Sequence, residues 1–188
     1  MSTVQIAQKY NSTMAFPRDN YVVRCTKDEF GPSSKGNAMI TLEFEIDRPE
    51  EITVAGIVED VPTDVPVNIA GVKTQPVWLV TQVIENGVLN EEKSLKALTR
   101  ANEWLATAGL PKIEDPTNPQ VQVKGKLFHA QVFGKTEEVR KTQTAAEKAA
   151  GKEAPILMNP VTGQPETRCI VTISKVYGPA NNDQSKPY

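Results

Sequence analysis

The stretch that decides the fold is Val121 to Lys135, VQVKGKLFHAQVFGK. Apolar and polar residues alternate along most of it, the period of a half-buried strand. Val121 and Val123 share one side. Beyond Gly125, Phe128, Ala130 and Val132 take one face, and Leu127, His129, Gln131 and Phe133 take the other. The apolar side changes near Gly125, where a glycine permits a bulge that re-aims the side chains after it. One long strand is therefore expected, opening the most basic part of the chain.

Working outward, Asn20 to Thr26 and Ala38 to Asp47 alternate in the same way and make a hairpin across the loop Lys27 to Asn37. Ile40, Leu42, Phe44 and Ile46 point one way, against a wet, acidic side of Thr41, Glu43 and Glu45. Ile52 to Val61 is a third strand, with a bulge or bend expected at Gly56. Pro62 to Thr74 is a proline-punctuated connection holding at most a short strand at Val67 to Ala70. Pro76 to Glu85 is β-branched and apolar, a further strand, and Asn86-Gly87 is a turn signal.

Asn90 is an N-cap residue followed by Glu91 and Glu92, and Gly109 and Pro111 mark the far end of a helix about five turns long. Its stripe is Leu95, Leu98, Asn102 and Leu105. Thr142 to Ala150 reads either as a short helix or as a loose excursion. Thr167 to Tyr177 is the last strand. The fold class is mainly β with one prominent α-helix before the late strands, a small barrel like the OB-fold, a five-stranded Greek-key barrel. The expected division is an N-terminal arm over 1–19, the barrel domain with insertions over 20–177 and a polar tail over 178–188.

Composition narrows the function. The chain has 188 residues and a net charge of −2. Cys25 and Cys169 are too few for a disulfide framework and read as thiols of a reducing compartment. With a single histidine they also lack metal-ligand spacing, so no metal or cofactor is expected. The N-terminus lacks the apolar core of a signal peptide, and no run reaches the roughly 20 residues of a membrane span. A cytoplasmic protein without a membrane partner is expected, in the host cytoplasm if a phage encodes it. Charge is unevenly spread: acids dominate Asn37 to Asp64, and bases dominate Gln120 to Lys152. Such asymmetry steers an anion to one face unless folding interleaves the two segments.

No phosphate-binding glycine loop occurs. The acids between Glu43 and Asp64 read as a wet strand face, and His129 has neither a nucleophile nor an orienting acid marked beside it. No catalysis is expected. Two readings remain for the opening stretch. Both phenylalanines are core, or bases stack on an exposed aromatic while lysines meet phosphates. On the second reading the nucleic-acid-binding set is Arg24, Lys27, Lys35, Trp78, Lys124, Lys126, Phe128, Phe133, Lys135, Arg140 and Lys141. Trp104, beside the helical stripe, is a packing residue.

The order YVVRCT, a Lys/Gly/Ser loop, AMITLEFEI, a helix ending in AGLP, then KGKLFHAQV and CIVTISKVYG resembles phage single-stranded-DNA-binding-like proteins with an OB-fold-like barrel. The resemblance covers roughly Asn20 to Tyr177 and is best at Gly125-Lys126. It implies a non-enzymatic protein of phage replication or recombination that binds single-stranded DNA with low sequence specificity. It also implies replication or recombination proteins as partners, and a homo-oligomer is compatible with it. The chain departs from the pattern in its long Gly56 to Glu85 stretch and in lacking an acidic tail. A virion structural or assembly protein with a β-rich fold is the alternative.

Overall fold

Ile40, Leu42, Phe44 and Ile46 are all buried, and the residues between them are half-exposed. The alternation legible in the sequence thus becomes a strand with one face in the core. In the computed structural model, which describes residues 8–58, 61–151 and 153–181, the strands are β1 (Gln8–Lys9), β2 (Asp19–Pro32), β3 (Ala38–Arg48), β4 (Glu51–Val58), β5 (Val61–Asn68), β6 (Val77–Gln82), β7 (Ile84–Glu85), β8 (Val88–Leu89), β9 (Leu127–Glu138) and β10 (Thr167–Pro179). The helices are α1 (Glu91–Thr107) and α2 (Ala145–Ala149). The chain is mainly β, with its one long helix before the two late strands.

The main sheet is antiparallel throughout, in the order β10-β9-β2-β3-β6. Its inner face carries Tyr21, Val23 and Cys25 of β2, the four apolar residues of β3, and Phe128, Ala130 and Val132 of β9. Phe44 and Phe128 meet edge to face, with ring centroids 6.1 Å apart, at the centre of this layer. That geometry is worth about 0.5–1.5 kcal/mol beyond the area it buries.

The expected closed barrel does not form. β10 and β6 end the sheet without a ladder between them. One backbone hydrogen bond, from Gln75 N–H to the Val171 carbonyl at 2.7 Å, spans the seam. Beside it lies a shallow cleft lined by Tyr10, Lys73, Gln75, Arg168 and Ile170. Farther along, α1 packs on β6 and reaches β10, so a helix covers the gap that a strand pair would have closed.

Helix α1 follows its sequence signals. The Asn90 side chain accepts the Lys93 N–H at 3.0 Å. At the other end, Leu110 N–H reaches the Leu105 carbonyl (2.8 Å) and Gly109 N–H the Ala106 carbonyl (3.1 Å). With Gly109 at φ +68°, this is the left-handed Schellman termination. Ala101 and Leu105 are buried, and Trp104 packs on Phe44. Leu95, expected in the stripe, is exposed. Asn102, the polar member of the stripe, clamps the following loop, its Oδ1 accepting the Ile113 N–H at 2.7 Å.

Two further expectations are corrected. First, Val121 to Lys126 is not strand. Lys126 N–H donates to the Val123 carbonyl at 3.0 Å with Gly125 at φ +82°, a turn that needs the left-handed backbone glycine tolerates at its third position. The change of face at Gly125 is thus made by a turn, and the strand starts at Leu127. Second, the proline-rich segment after Val61 is a strand, and with β4 it forms a hairpin. Prolines survive in a strand when their nitrogens face away from the ladder, and Pro62 and Pro66 share that parity.

The N-terminal segment, expected as an arm or a loosely docked strand, is docked where it is described. Gln8 and Lys9 pair in parallel with Val67 and Asn68. Ser12 accepts the Cys169 N–H, and Phe16 accepts the Gly134 N–H. Phe16 is buried between Tyr10 and Tyr21. The segment is a strap over the main sheet, while Val4 and Ile6 lie outside the described residues, as does the tail from 182 to 188.

Thr142 to Ala150, expected as a short helix or a loose excursion, contains the short helix α2. Thr144 and Glu147 form a reciprocal capping box: the Glu147 carboxylate accepts the Thr144 N–H (2.8 Å) and the Thr144 hydroxyl accepts the Glu147 N–H (3.3 Å). The Thr144 N–H, and then its hydroxyl, donating to the Glu147 carboxylate hold that group's pKa below its usual value, and the box opens the short α2.

Candidate nucleic-acid interface

The turn that precedes β9 projects two of the predicted bases. Gly125 N–H and Cys25 C=O bond at 2.8 Å, and Cys25 N–H and Lys126 C=O at 3.0 Å, so the turn is laddered onto β2. Asp28, on β2, points one carboxylate oxygen at it and accepts the N–H groups of Val123 (2.8 Å) and Lys124 (3.0 Å). A bulge at Thr26, where Cys25 pairs with Phe44 but Lys27 with Glu43, puts Asp28 on that side. Lys124 and Lys126 are exposed and make no ion pair among the described residues.

On the outer face of β2 and β3 the acidic segment meets bases directly. Arg24 is paired with Asp47, and Lys27 lies 2.8 Å from Glu29 and 3.7 Å from Glu43. The hydrogen bond to Glu29 is the first cause that raises the Lys27 pKa. Here the interleaving of acids and bases does cancel charge. Lys35 stands apart, exposed in the turn between β2 and β3.

The outer face of β9 and β10 is different. Register places His129, Gln131, Phe133 and Lys135 of β9 in a row beside Thr172 and Lys175 of β10. Arg18, just before β2, lies over the Phe133 ring at 4.8 Å from its centroid. Lys175 lies over the Tyr177 ring at 5.1 Å, and Tyr177 is exposed. Ser174 donates to the Gln131 side chain at 3.0 Å. Lys135 pairs with Glu137 at 3.2 Å, and Arg168 is the Cα partner of that same glutamate across the strands. Four bases therefore share this face with one acid, and two aromatic rings each carry a cation.

Phe128 belongs to the opposite face. It is 1% exposed and packed on Phe44, so it is a core residue that no base reaches. Phe133, half-buried under Arg18, is the aromatic of that stretch that faces outward.

The remaining predicted residues do not join this row. Trp78 is exposed on the outer face of β6, paired with Thr41, with β3 and β2 between it and β9. Arg140 is held in the connection after β9 by Glu153 at 3.7 Å and by the Ala154 carbonyl, next to exposed Lys141. Lys126 and Lys135 are nine residues apart along an extended strand, about 30 Å at the usual rise. The predicted set is thus split among the turns before β9 and after β2, the outer faces of β2 and β9, the core, the connection after β9 and the sheet's far edge.

Arg18, Arg168, Lys175 and Tyr177 were absent from the sequence-derived set. A signal existed for three of them. Continuing the alternation of β2 backwards puts Arg18 in step with Asn20 and Arg24. Lys175 and Tyr177 are spaced by two on the last strand, and so share a side. The pairing of β2 with β9 brings Arg18 to Phe133, and the pairing of β9 with β10 brings Arg168, Lys175 and Tyr177 to the same face. No cluster of potential metal ligands occurs among the described residues, and none of their helices is long and apolar enough to cross a membrane. No protein-family model matches the chain, and no curated protein and no solved structure does either.

Proposed function

We propose that the protein binds single-stranded DNA with little sequence preference and without catalysis, in phage replication or recombination. The observation that carries this reading is the outer face of β9 and β10, where Arg18 on Phe133 and Lys175 on Tyr177 sit in one row with Lys135. Single-stranded nucleic acid is held by such a combination, a basic track for phosphates and π-faces for bases. Every base has a π-face, so stacking tolerates any sequence. The strand order supports it further. Numbered within the main sheet alone it is 5-4-1-2-3, with the long helix between the third and fourth strands. That resembles an OB-fold opened along one seam, and OB-folds bind oligonucleotides.

On this reading Lys135, Lys175, Arg168 and the turn lysines Lys124 and Lys126 meet phosphates. Tyr177 stacks a base, and the Arg18 guanidinium, already lying on Phe133, offers its outer plane to another. Partner proteins of replication or recombination dock elsewhere. A labelled oligothymidine titrated at low and moderate salt tests the proposal by fluorescence anisotropy. Tight binding at low salt that weakens steeply as salt rises is the expected result. Folded protein that leaves the anisotropy flat at low salt refutes it.

A further inference from the structure

We infer that the cleft along the seam beside β10 is a phosphate subsite, which the bound DNA strand enters after it leaves the outer face of β9 and β10. The subsite rests on the strand-binding reading above and extends it. The cleft lies between residues 72–76, residues 168–171 of β10 and the strap at Tyr10 and Ser12. It holds about 530 Å³, within the roughly 300–1,000 Å³ of small-ligand sites, so it has room for a nucleotide unit. No acidic residue is among the described residues that line it.

Two bases flank the cleft, Lys73 and Arg168. Both are exposed, and neither has an ion pair among the described residues. The neighbouring acids are Glu45, the bridge partner of Lys73, Glu137, opposite Arg168 on β9, and Glu166, which lines the next cleft beyond Ser12. Glu137 is taken by Lys135 at 3.2 Å. The backbone adds a donor. Gln75 N–H bonds to the Val171 carbonyl at 2.7 Å, and Cys169 N–H bonds to the Ser12 carbonyl. The odd-numbered residues here therefore turn their backbone groups to the seam. The Val171 N–H points the same way and has no acceptor among the described residues. Such a donor takes its partner from protein, water or ligand, and the two bases beside this one favour a phosphate oxygen.

Continuity with the basic row selects the source of the phosphate. Arg168, Ile170 and Thr172 stand opposite Glu137, Lys135 and Phe133. Arg168 and Ile170 also line the cleft, and the Thr172 hydroxyl donates to the Gln75 side chain at 3.4 Å. Phe133 and the seam are two strand spacings apart, about 10 Å. Ile170 and Pro76 give an apolar wall for a sugar or base. A free small ligand is held by enclosure of most of its surface. A shallow cleft suits one unit of a continuing chain, whose neighbours are held on the row.

Amide chemical shifts and anisotropy titrations test the subsite. Oligothymidine should shift the Val171 amide resonance of the native chain in step with binding. Inorganic phosphate at matched ionic strength should shift it only at far higher concentration. Lys73→Gln should weaken oligothymidine binding several-fold and flatten the slope of log K against log salt by about 0.7. Lys112→Gln, at an exposed base beside α1, should change neither. A Val171 amide that oligothymidine leaves unmoved, or a Lys73→Gln variant with native affinity and slope, overturns the subsite while strand binding stands. A shift that phosphate produces and oligothymidine does not assigns the cleft to a free anion and overturns it too. A native chain that binds no oligothymidine refutes the strand-binding reading and the subsite with it. The amide measurement uses the native chain, so it decides the matter even if Lys73→Gln fails to fold.

Discussion

The Asp28 carboxylate and the backbone of Lys124 are joined at 3.0 Å, and the same oxygen holds the Val123 N–H at 2.8 Å. A side chain on β2 thereby fixes the turn that carries two exposed lysines. Removing it leaves two N–H groups without an acceptor, one of them on Val123, which is fully buried. Asp28→Ala should lower unfolding stability by about 1–3 kcal/mol in a urea titration. Oligonucleotide affinity should fall in the same variant, although Asp28 is itself an acid whose removal favours an anion. Unchanged or tighter binding would show that the turn lysines do not touch the ligand.

Phe133 and Phe128 should separate cleanly. Tyr177→Ala should weaken oligonucleotide binding by about 1–3 kcal/mol for its stacked base, Phe133→Ala should weaken it by removing the support under Arg18, and both should leave the urea midpoint nearly in place. Phe128→Ala empties the centre of the core and should cost about 3–5 kcal/mol of stability. Paired binding and unfolding titrations on the three variants measure the contrast.

Salt dependence counts the phosphate contacts. Lys135→Gln and Lys175→Gln should each flatten the slope of log K against log salt by about 0.7, the single-strand value per contact. Arg24→Gln should change it little, because Arg24 is held by Asp47 on the β2–β3 side and is not one of the proposed phosphate contacts. A set of anisotropy titrations at several salt concentrations gives all three slopes.

Gly134 is required for space. A Cβ there would strike the Cys169 sulfur and the Phe16 Cβ, 2.8 Å away. Gly134→Ala should destabilise by about 1–3 kcal/mol through overpacking. Adding Cys169→Ala should recover only part of the loss, since Phe16 still blocks the site. Thermal or urea unfolding of the single and double variants checks the ordering.

Alkali should unfold the protein sooner than its surface charges alone would. Burial, and then the nearby Asp19 charge, pushes the Tyr21 phenol up to about 12 from 10.0. Burial likewise raises the Cys25 thiol to about 11 from 9.0. The unfolded chain releases these protons first, so between those values the folded state binds more of them. This stability is complete below about pH 9 and is lost as pH rises towards 12. Urea midpoints should fall between pH about 9 and about 12, and less steeply above pH about 10 in Tyr21→Phe.

How much of this was legible depends on the range of the interactions involved. Asn90, Gly109 and the alternation around Phe44 act on their own neighbours, so helix and central strands could be read directly. The parity of Phe128 and Phe133 was legible too, but not which side is buried, because that depends on Phe44 and Arg18 arriving from elsewhere. Pro62 and Pro66 read as breakers until the strand pairing showed that their nitrogens face the edge. The basic row needed β9 beside β10, with a long excursion between them. Gly125 announced a change of face, yet bulge and turn share that signal in sequence and differ only in hydrogen bonding.

The strap over the main sheet also dictates an order of events. Ser12 and Phe16 are among the first described residues to be synthesised, yet they bond to Cys169 and Gly134, separated from them by most of the chain. Closing so long a loop is entropically expensive early, and contacts of such separation slow folding. The Phe16 bond therefore waits for Gly134 of β9, and the Ser12 bond for Cys169 of β10. A nascent chain stalled before Thr167 would lack the Ser12–Cys169 bond, which makes the last strand the step that finishes fastening the strap.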